Sequence, residues 1–182
     1  FRLRTCGCPF TSASRIMTAT VVRDSVASVS AAPASDGNLV HLALPKGRIL
    51  APALALLRAA GIDTGPVGRA DDDRRLMLEL PQPGHGPWGP GGWRALLVKP
   101  SDVPTYVEHG VADVGVAGRD VLLEAGSDVY EPLDLGFGRC RLAVARLRGR
   151  KGVEGIARVA TKYPRVAARH FLERGLSVEV VT

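Results

Sequence analysis

The sequence predicts an α/β fold in which helices alternate with mostly parallel strands. Apolar segments such as residues 93–98 and 111–117 are typical of strands covered on both faces. Residues 49–60 have apolar side chains at helical spacing and end at Gly61, a residue suited to a helix stop. This order of strand, loop and helix recurs along the chain, which favours parallel strands joined by helical crossovers.

The remaining elements follow from the same two patterns. We expect Ser101 or Asp102 to cap a helix that contains Pro104 and ends at Gly110, and Asp120 to cap the helix after it. The expected strands are residues 38–44, 76–80, 93–98, 111–117, 129–135, 139–146, 156–160 and 176–181. The expected helices are residues 49–60, the segment between Asp102 and Gly110, and residues 121–125 and 165–174.

We expect three regions along the chain. Residues 1–37 are rich in Ser, Ala, Thr and Val without a sustained period, which indicates a disordered extension; a transit peptide is the alternative. Residues 38–137 form a first α/β lobe and residues 138–182 a second, incomplete one, joined by a hinge-like crossing at 136–138. The chain starts with Phe rather than Met and ends after an apolar strand, so we expect a fragment, a processed form or an over-extended reading frame.

Composition predicts a soluble, cytoplasmic protein without a membrane span. Hydrophobic residues make up 46% and charged residues 23% of the chain, and no apolar run is long enough to cross a bilayer. Three cysteines cannot form a disulfide framework. Cys6 and Cys8 lack the further ligands of a zinc site, and Cys140 is interpreted as a small core residue, so no metal site is predicted in the protein itself.

The positive charge lies in the last third of the chain. The net charge is +6, and residues 139–182 hold eleven Lys or Arg residues against three Glu. Such a bias indicates an anionic partner. Few aromatic residues accompany the cations, so a polyphosphorylated small molecule is favoured over nucleic acid, whose binding would be strongly salt-dependent. A solvated basic face is the third interpretation.

The loop after the first expected strand is suited to phosphate. Lys46 supplies a point charge, Arg48 a planar fork, and Gly47 permits close approach of the backbone. A second candidate runs from Lys99 to Asp120, where Gly115 and Gly118 permit close packing of backbone or ligand.

The sequence contains neither a G-x-S-x-G nor a Walker A pattern, and its histidines do not cluster with Ser or Cys. We interpret these histidines as structural. Without an obvious general base, the chemistry that fits best is stabilisation of a phosphate leaving group by cations.

Several segments resemble one family in their order and spacing. The segments are L-A-L-P-K-G-R-I at residues 42–49, R-R-L at 74–76, the run 99–120, D-V-Y-E at 128–131, R-C-R-L-A-V-A at 139–145 and A-T-K-Y-P at 160–164. They resemble ATP phosphoribosyltransferase, the first enzyme of histidine biosynthesis, in its short form. The resemblance implies a two-lobed fold like type II periplasmic binding proteins, with the active site between the lobes.

The resemblance also implies a reaction and its residues. Family members transfer the phosphoribosyl group of PRPP to N1 of the ATP adenine and release pyrophosphate, with Mg²⁺ present. Arg48 and Arg74 match arginines associated with the departing pyrophosphate and are the catalytic candidates. The substrate-binding candidates are Lys46, Gly47, Lys99, Gly118, Asp120 and Lys162.

Partners follow from the resemblance too. The short form implies a homodimer and a hetero-oligomer with a regulatory subunit similar to histidyl-tRNA synthetase; neither nucleic acid nor membrane is expected. The Gly/Pro tract at 81–92 is longer than the family's usual turn, which suggests a surface insertion. The family's PRPP-binding Thr-Gly-x-Thr-Leu element does not occur before Thr182, so we expect the chain alone to be inactive. A non-catalytic ligand-binding module of the same architecture is the alternative.

Overall fold

The structure is a computed structural model, and it describes residues 4–5, 18–23, 39–68, 76–80, 92–147 and 155–182. The chain divides into two compact units. The larger comprises Met17–Gly138, and the smaller comprises Phe1–Ile16 together with Arg139–Thr182. This division falls one residue after the expected boundary between the lobes, and it splits the N-terminal extension between the units.

The elements follow the alternation expected from the sequence. The strands are β1 (Arg4–Thr5), β2 (Thr18–Arg23), β3 (Val40–Pro45), β4 (Met77–Leu80), β5 (Trp93–Val98), β6 (Val114–Gly118), β7 (Val129–Asp134), β8 (Ala145–Arg146), β9 (Arg158–Ala160) and β10 (Glu179–Val181). The helices are α1 (Leu50–Ala59), α2 (Gly65–Gly68), α3 (Val103–Glu108), α4 (Arg119–Ala125) and α5 (Pro164–Leu172). None of the described helices is long and apolar enough to cross a membrane.

The larger unit is built on a six-stranded sheet with the order β4-β5-β3-β6-β2-β7. Strands β5, β3 and β6 are neighbours and run parallel, joined by crossovers that contain α1, α2 and α3. The pairs β4-β5, β2-β6 and β2-β7 are antiparallel, so four of the six strands run in one direction. The predicted α/β class with a mostly parallel sheet is confirmed.

Strand β2 is the main departure from the sequence prediction. It lies between β6 and β7 and pairs with both, with a register shift against β7 between Thr20 and Val22. The predicted disordered extension over residues 1–37 is therefore wrong for β2, and for β1, which pairs with β8. The β-branched content of residues 18–22 is the signal that could have identified this strand.

Helices cover both faces of the sheet, which explains why its central strands are apolar throughout. On one face, Leu42 and Leu44 belong to a cluster that includes residues of α1 and α2. On the other face, Ala43 lies in a cluster with Val103 and Val107 of α3. Alternate residues of β3 thus enter opposite cores.

Gly115 allows α3 to pack closely on β6. A Cβ atom at this position would lie 2.7 Å from Val103 Cγ1 and 2.9 Å from Val107 Cγ2. The close approach that the sequence suggested at Gly115 is therefore made by a helix of the same unit.

Asp113 fixes the start of β6 against β3. Its carboxylate accepts a hydrogen bond from the His41 backbone N–H at 2.8 Å, and its own N–H donates to the His41 carbonyl at 2.9 Å. The His41 Nδ1 atom lies 3.4 Å from the same carboxylate. The polar residue that interrupts the apolar segment thus anchors the register of two parallel strands.

The smaller unit contains two separate strand pairs and one helix. Strands β1 and β8 pair antiparallel, β9 and β10 pair parallel, and α5 packs on β10 through its buried side. Phe171 is 1% exposed and Val166 is also buried, as their helical spacing predicts. The neighbouring apolar residue Leu172 is 76% exposed.

Residues 139–146 do not form the predicted continuous strand. Apart from a single bridge at Cys140, only Ala145–Arg146 is assigned to a strand, opposite β1. Cys140 is exposed, so its interpretation as a core residue is wrong. An alternation of charged and apolar residues favours a strand only where a neighbouring strand is available to pair with it. In this segment the described strand pairing is that of Ala145 and Arg146 with β1.

Candidate active site

The loops that carry most of the predicted site residues leave one edge of the larger unit's sheet. Strands β5, β3 and β6 are adjacent and parallel, so their carboxyl ends lie together. The loops after β3 and β5 begin at Lys46 and Lys99, and β6 passes at Gly118 directly into α4. The backbone N–H of Lys46 donates to the Val98 carbonyl at 2.9 Å, which places the first loop beside the end of β5.

The loop after β3 is a tight, exposed turn with two cations. Gly47 has a φ of 97°, a conformation that favours glycine, and its carbonyl accepts the Leu50 N–H at 3.0 Å. Lys46 and Arg48 on either side are exposed, and no carboxylate in the described part of the chain pairs with them. The N-cap residue Ile49 makes no side-chain cap, so the first N–H groups of α1 lack a side-chain acceptor there.

Lys99 opens the next loop and is also exposed. Its carbonyl accepts the Asp102 N–H at 2.9 Å, and this turn leads into α3. The predicted cap is not found, because α3 has no side-chain cap hydrogen bond. Instead the Ser101 hydroxyl donates to Asp102 Oδ1 at 2.7 Å.

The junction of β6 and α4 lies close to Ile49 at the start of α1. Gly118 is buried, and a Cβ atom on it would collide with Asp120 Oδ1 and lie 3.8 Å from Ile49 Cδ1. Asp120 lies in the first turn of α4, where a negative charge is favourable, but the predicted side-chain cap is absent. The Asp120 carboxylate lies over Gly118, so a side chain at this position would require the carboxylate to move.

Two further predicted residues are Arg74 and Lys162. Arg74 is outside the described residues. Lys162 belongs to the smaller unit, in the loop after β9, where its Nζ atom is 5.1 Å from the centroid of the Tyr163 ring. This contact is within the range of a cation–π interaction.

Comparison with known proteins identifies the relatives of this chain. The profile of the family described as "HisG: ATP phosphoribosyltransferase" matches residues 99–182. The ATP phosphoribosyltransferase of Sorangium cellulosum is 49% identical over 140 residues, which is 77% of this chain and 61% of that protein. The enzyme of the same name from Moorella thermoacetica is 50% identical over 154 residues, covering 79% of this chain and 63% of its own length.

The chain is similar to ATP phosphoribosyltransferases along most of its length. It spans 61% to 63% of the length of these two relatives.

A solved structure agrees with this similarity. It is titled as the ATP phosphoribosyl transferase (HisG:HisZ) complex from Thermotoga maritima and matches with a TM-score of 0.56 and 30% identity, over 78% of this chain and 62% of that one. The predicted α/β fold of the periplasmic-binding-protein type is confirmed by this likeness.

One charged residue at this edge of the sheet was not singled out from the sequence. Arg119 lies between Gly118 and Asp120, and its Nε atom is 3.4 Å from Glu131 Oε2 on β7. Its guanidinium is therefore paired with a carboxylate on β7, which is separated from β6 by β2 in the sheet. Both side chains are more than a third exposed, so the pair adds little stability. No local sequence signal indicates this partner.

The described histidines have structural partners, as expected. His41 contacts Asp113, and the His109 ring Nδ1 lies 2.9 Å from the Thr105 carbonyl. Burial lowers the pKa of His170, and the nearby Arg174 guanidinium lowers it further, while Glu173 acts in the opposite direction. His85 lies outside the described residues.

Proposed function

We propose that this chain takes part in ATP phosphoribosyl transfer, the first step of histidine biosynthesis, in the cytoplasm. In this reaction the lone pair of adenine N1 attacks C1′ of PRPP, and the bond from C1′ to the pyrophosphate oxygen breaks. The bonding electrons leave with pyrophosphate, and no strong base is required. What the protein must supply is orientation of two polyanions and stabilisation of the leaving group.

The observation that carries the proposal is that the loops after β3 and β5 and the junction of β6 with α4 lie at one sheet edge. Lys46, Arg48 and Lys99 place three exposed cations there, next to the uncapped start of α1. Guanidinium and ammonium groups in this arrangement suit a di- or triphosphate. We assign the leaving pyrophosphate to Arg48, together with Arg74, and the nucleotide phosphates to Lys99.

Gly118 and Asp120 form the third side of the proposed site. Because Gly118 has no side chain, the backbone at the end of β6 can be approached closely. The Asp120 carboxylate beside it offers a hydrogen-bond acceptor for a ribose hydroxyl or a metal-bound water. Lys162 is proposed as a substrate-binding residue from the resemblance of the A-T-K-Y-P segment alone.

Mg²⁺ fits this site as an ion carried by the substrates. The described residues hold no group of three or more His, Cys, Asp or Glu side chains that could bind a metal. Magnesium is commonly bound by substrate phosphates with one or two protein carboxylates, and Asp120 is such a carboxylate at this edge. When bound, Mg²⁺ would neutralise part of the phosphate charge.

We also propose the assembly that the short form implies. Two copies of the catalytic chain form a homodimer, and this dimer forms a hetero-oligomer with a regulatory subunit similar to histidyl-tRNA synthetase. The solved structure from Thermotoga maritima is a complex of HisG with HisZ, which supports a hetero-oligomer.

Calorimetric titration of the chain with ATP and with PRPP, each with Mg²⁺, tests the function. We expect saturable binding of ATP, weaker binding of PRPP because the Thr-Gly-x-Thr-Leu element does not occur in the sequence, and no binding of a neutral sugar such as ribose. A non-catalytic solute-binding module is the competing function, and it predicts that neither ATP nor PRPP binds. Absence of both binding events in the folded chain would contradict the proposal.

A further inference from the structure

The end of β6 that carries part of the proposed site is paired with β2 and not with β3. Among the described residues, β3 pairs with the first two residues of β6, Val114 and Gly115. Strand β2 pairs with every residue of β6, and its first residue, Thr18, lies opposite Gly118. In the described part of the chain, residues 116–118 therefore have β2 as their only partner strand.

The backbone groups of Gly118 point toward β2. Just before β6, the N–H of Asp113 donates to the carbonyl of His41 on β3 at 2.9 Å. Successive residues of a strand direct their backbone groups to opposite edges. Gly118 lies an odd number of residues after Asp113, so its N–H faces the other edge, where Thr18 lies.

The position of Gly118 determines where the Asp120 carboxylate lies. Strand β6 ends at Gly118, α4 begins at Arg119, and Asp120 is in the first turn of this helix. The start of α4 has no side-chain cap hydrogen bond that could fix it independently. A shift of the backbone at Gly118 therefore moves the carboxylate that we assign to the nucleotide or to its metal ion.

We propose that β2 positions the turn from Gly118 to Asp120 for the nucleotide, through its pairing at Thr18. A binding group must be held within a fraction of an ångström by the elements around it, and β2 provides this support at the end of β6. The N-terminal segment, for which the sequence predicted disorder, thus contributes to the site. Thr18 is a positioning residue, since it acts through the turn. The inference rests on the proposed function, because it concerns the support of that site.

Two proline substitutions at opposite ends of β2 test the proposal. Thr18 lies opposite Gly118 at the site, and Val22 lies opposite Val114 at the far end of β6. By the same alternation both N–H groups face β6, so each proline removes one N–H from the same ladder. Val22 is also paired with Tyr130 on β7, so Val22→Pro should lower stability at least as much as Thr18→Pro.

The two variants should differ in their affinity for ATP. We expect Thr18→Pro to weaken binding of ATP with Mg²⁺ by about tenfold or more, as loss of a supporting contact does at other sites, and Val22→Pro to bind like the unmodified chain. Calorimetry measures the affinities, and urea denaturation measures the stabilities. Because lost stability alone would affect Val22→Pro at least as strongly, equal ATP affinities in the two variants would overturn the proposal.

A double substitution tests whether Thr18 acts through Asp120. In an Asp120→Ala background the group that β2 positions is gone, so Thr18→Pro should change ATP affinity by less than about twofold. A purely structural effect of the proline would be the same in both backgrounds. An undiminished loss of affinity in the Asp120→Ala background would therefore contradict the proposal.

Amide hydrogen exchange tests the pairing in the unmodified chain, without any risk of misfolding. We expect ATP with Mg²⁺ to slow exchange of the Gly118 amide by about tenfold and to leave the Val114 amide unchanged, because both face β2 and only Gly118 lies at the site. No change at Gly118, or equal slowing at both amides, would overturn the inference.

The failure of this inference differs from the failure of the proposed function. If the unmodified chain binds neither ATP nor pyrophosphate, the proposed function fails and this inference fails with it. If the unmodified chain binds both ligands while Thr18→Pro and Val22→Pro bind ATP equally, only the role of β2 is wrong.

Discussion

At the scale of single residues, Gly115 is where one added methyl group should matter most. A Cβ there would overlap the side chains of Val103 and Val107, which belong to the buried face of α3. We expect Gly115→Ala to lower the free energy of unfolding by about 1–3 kcal/mol, since either α3 or β6 must shift. Urea denaturation followed by circular dichroism measures this change.

Gly68 provides the control for this substitution. A Cβ on Gly68 would meet no atom within 4 Å, and its φ is not positive. Gly68→Ala should leave the urea midpoint unchanged or raise it slightly, because alanine restricts the unfolded chain. Equal midpoints for the two variants would show that α3 does not depend on the missing side chain.

His170 is expected to make stability depend on pH. Its pKa lies below the usual value of about 6.5, first because of burial and second because of Arg174, whose Nη1 atom is 3.1 Å from the ring Nδ1. The unfolded chain therefore takes up a proton more readily. The stabilisation of the folded chain by neutral His170 is complete at a pH above the ordinary pKa. It is lost as the pH falls through the lowered pKa of the folded state.

An arginine substitution tests this account of His170. Arg174→Ala removes the nearby cation, so the pKa of His170 should rise toward its ordinary value while remaining below it because of burial. A titration of the His170 ring protons by NMR from pH 4 to 8 measures both forms. An unchanged pKa in the variant would mean that burial alone accounts for the shift.

At the scale of elements, β2 is the strand whose importance the sequence did not indicate. Thr20 pairs with Val116 on β6 and with Leu133 on β7, so its N–H faces a paired neighbour in either direction. Thr20→Pro should remove one ladder hydrogen bond and lower the free energy of unfolding by about 1–3 kcal/mol.

The control for this substitution is Thr20→Val, which keeps the N–H and a β-branched side chain. The urea midpoint should be lower in Thr20→Pro than in the unmodified chain, and it should be unchanged in Thr20→Val. If both variants match the unmodified chain, residues 18–23 are dispensable to the sheet.

The elements that the sequence predicts well are those fixed by local pattern. Strand β5 has the predicted bounds, 93–98, and α1 lies within one residue of its predicted ends, because its apolar spacing and the glycine at 61 act over a few residues. The α/β class follows from the same alternation.

The failures are elements whose structure depends on a distant partner. Strand β2 needs β6 and β7, which are about a hundred residues away in sequence. Residues 139–146 have a suitable alternation, and only two of them find the short β1 opposite. The capping predictions failed for a local reason at Asp102, whose carboxylate accepts the Ser101 hydroxyl instead.

At the scale of the whole molecule, the candidate site was predictable as a set of loops. Parallel order of β5, β3 and β6 is enough to place the residues after each strand at one edge, and the loop cations were visible in the sequence. The contact between Gly118 and the start of α1, and the engagement of Arg119 with Glu131, needed the three-dimensional structure. The roles of the individual residues stay predictions.

The most direct test of the central claim is the affinity of the chain for pyrophosphate with Mg²⁺, measured by calorimetry for the unmodified chain and two arginine variants. Arg48→Ala removes the proposed phosphate contact, and Arg58→Ala removes an exposed arginine from the last turn of α1, about 15 Å along the helix. Loss of charge-assisted hydrogen bonds worth about 1.5–3 kcal/mol should weaken binding about 10- to 100-fold in Arg48→Ala and leave Arg58→Ala unchanged. Equal affinities in the two variants would contradict the assignment of this sheet edge to the substrates' phosphates.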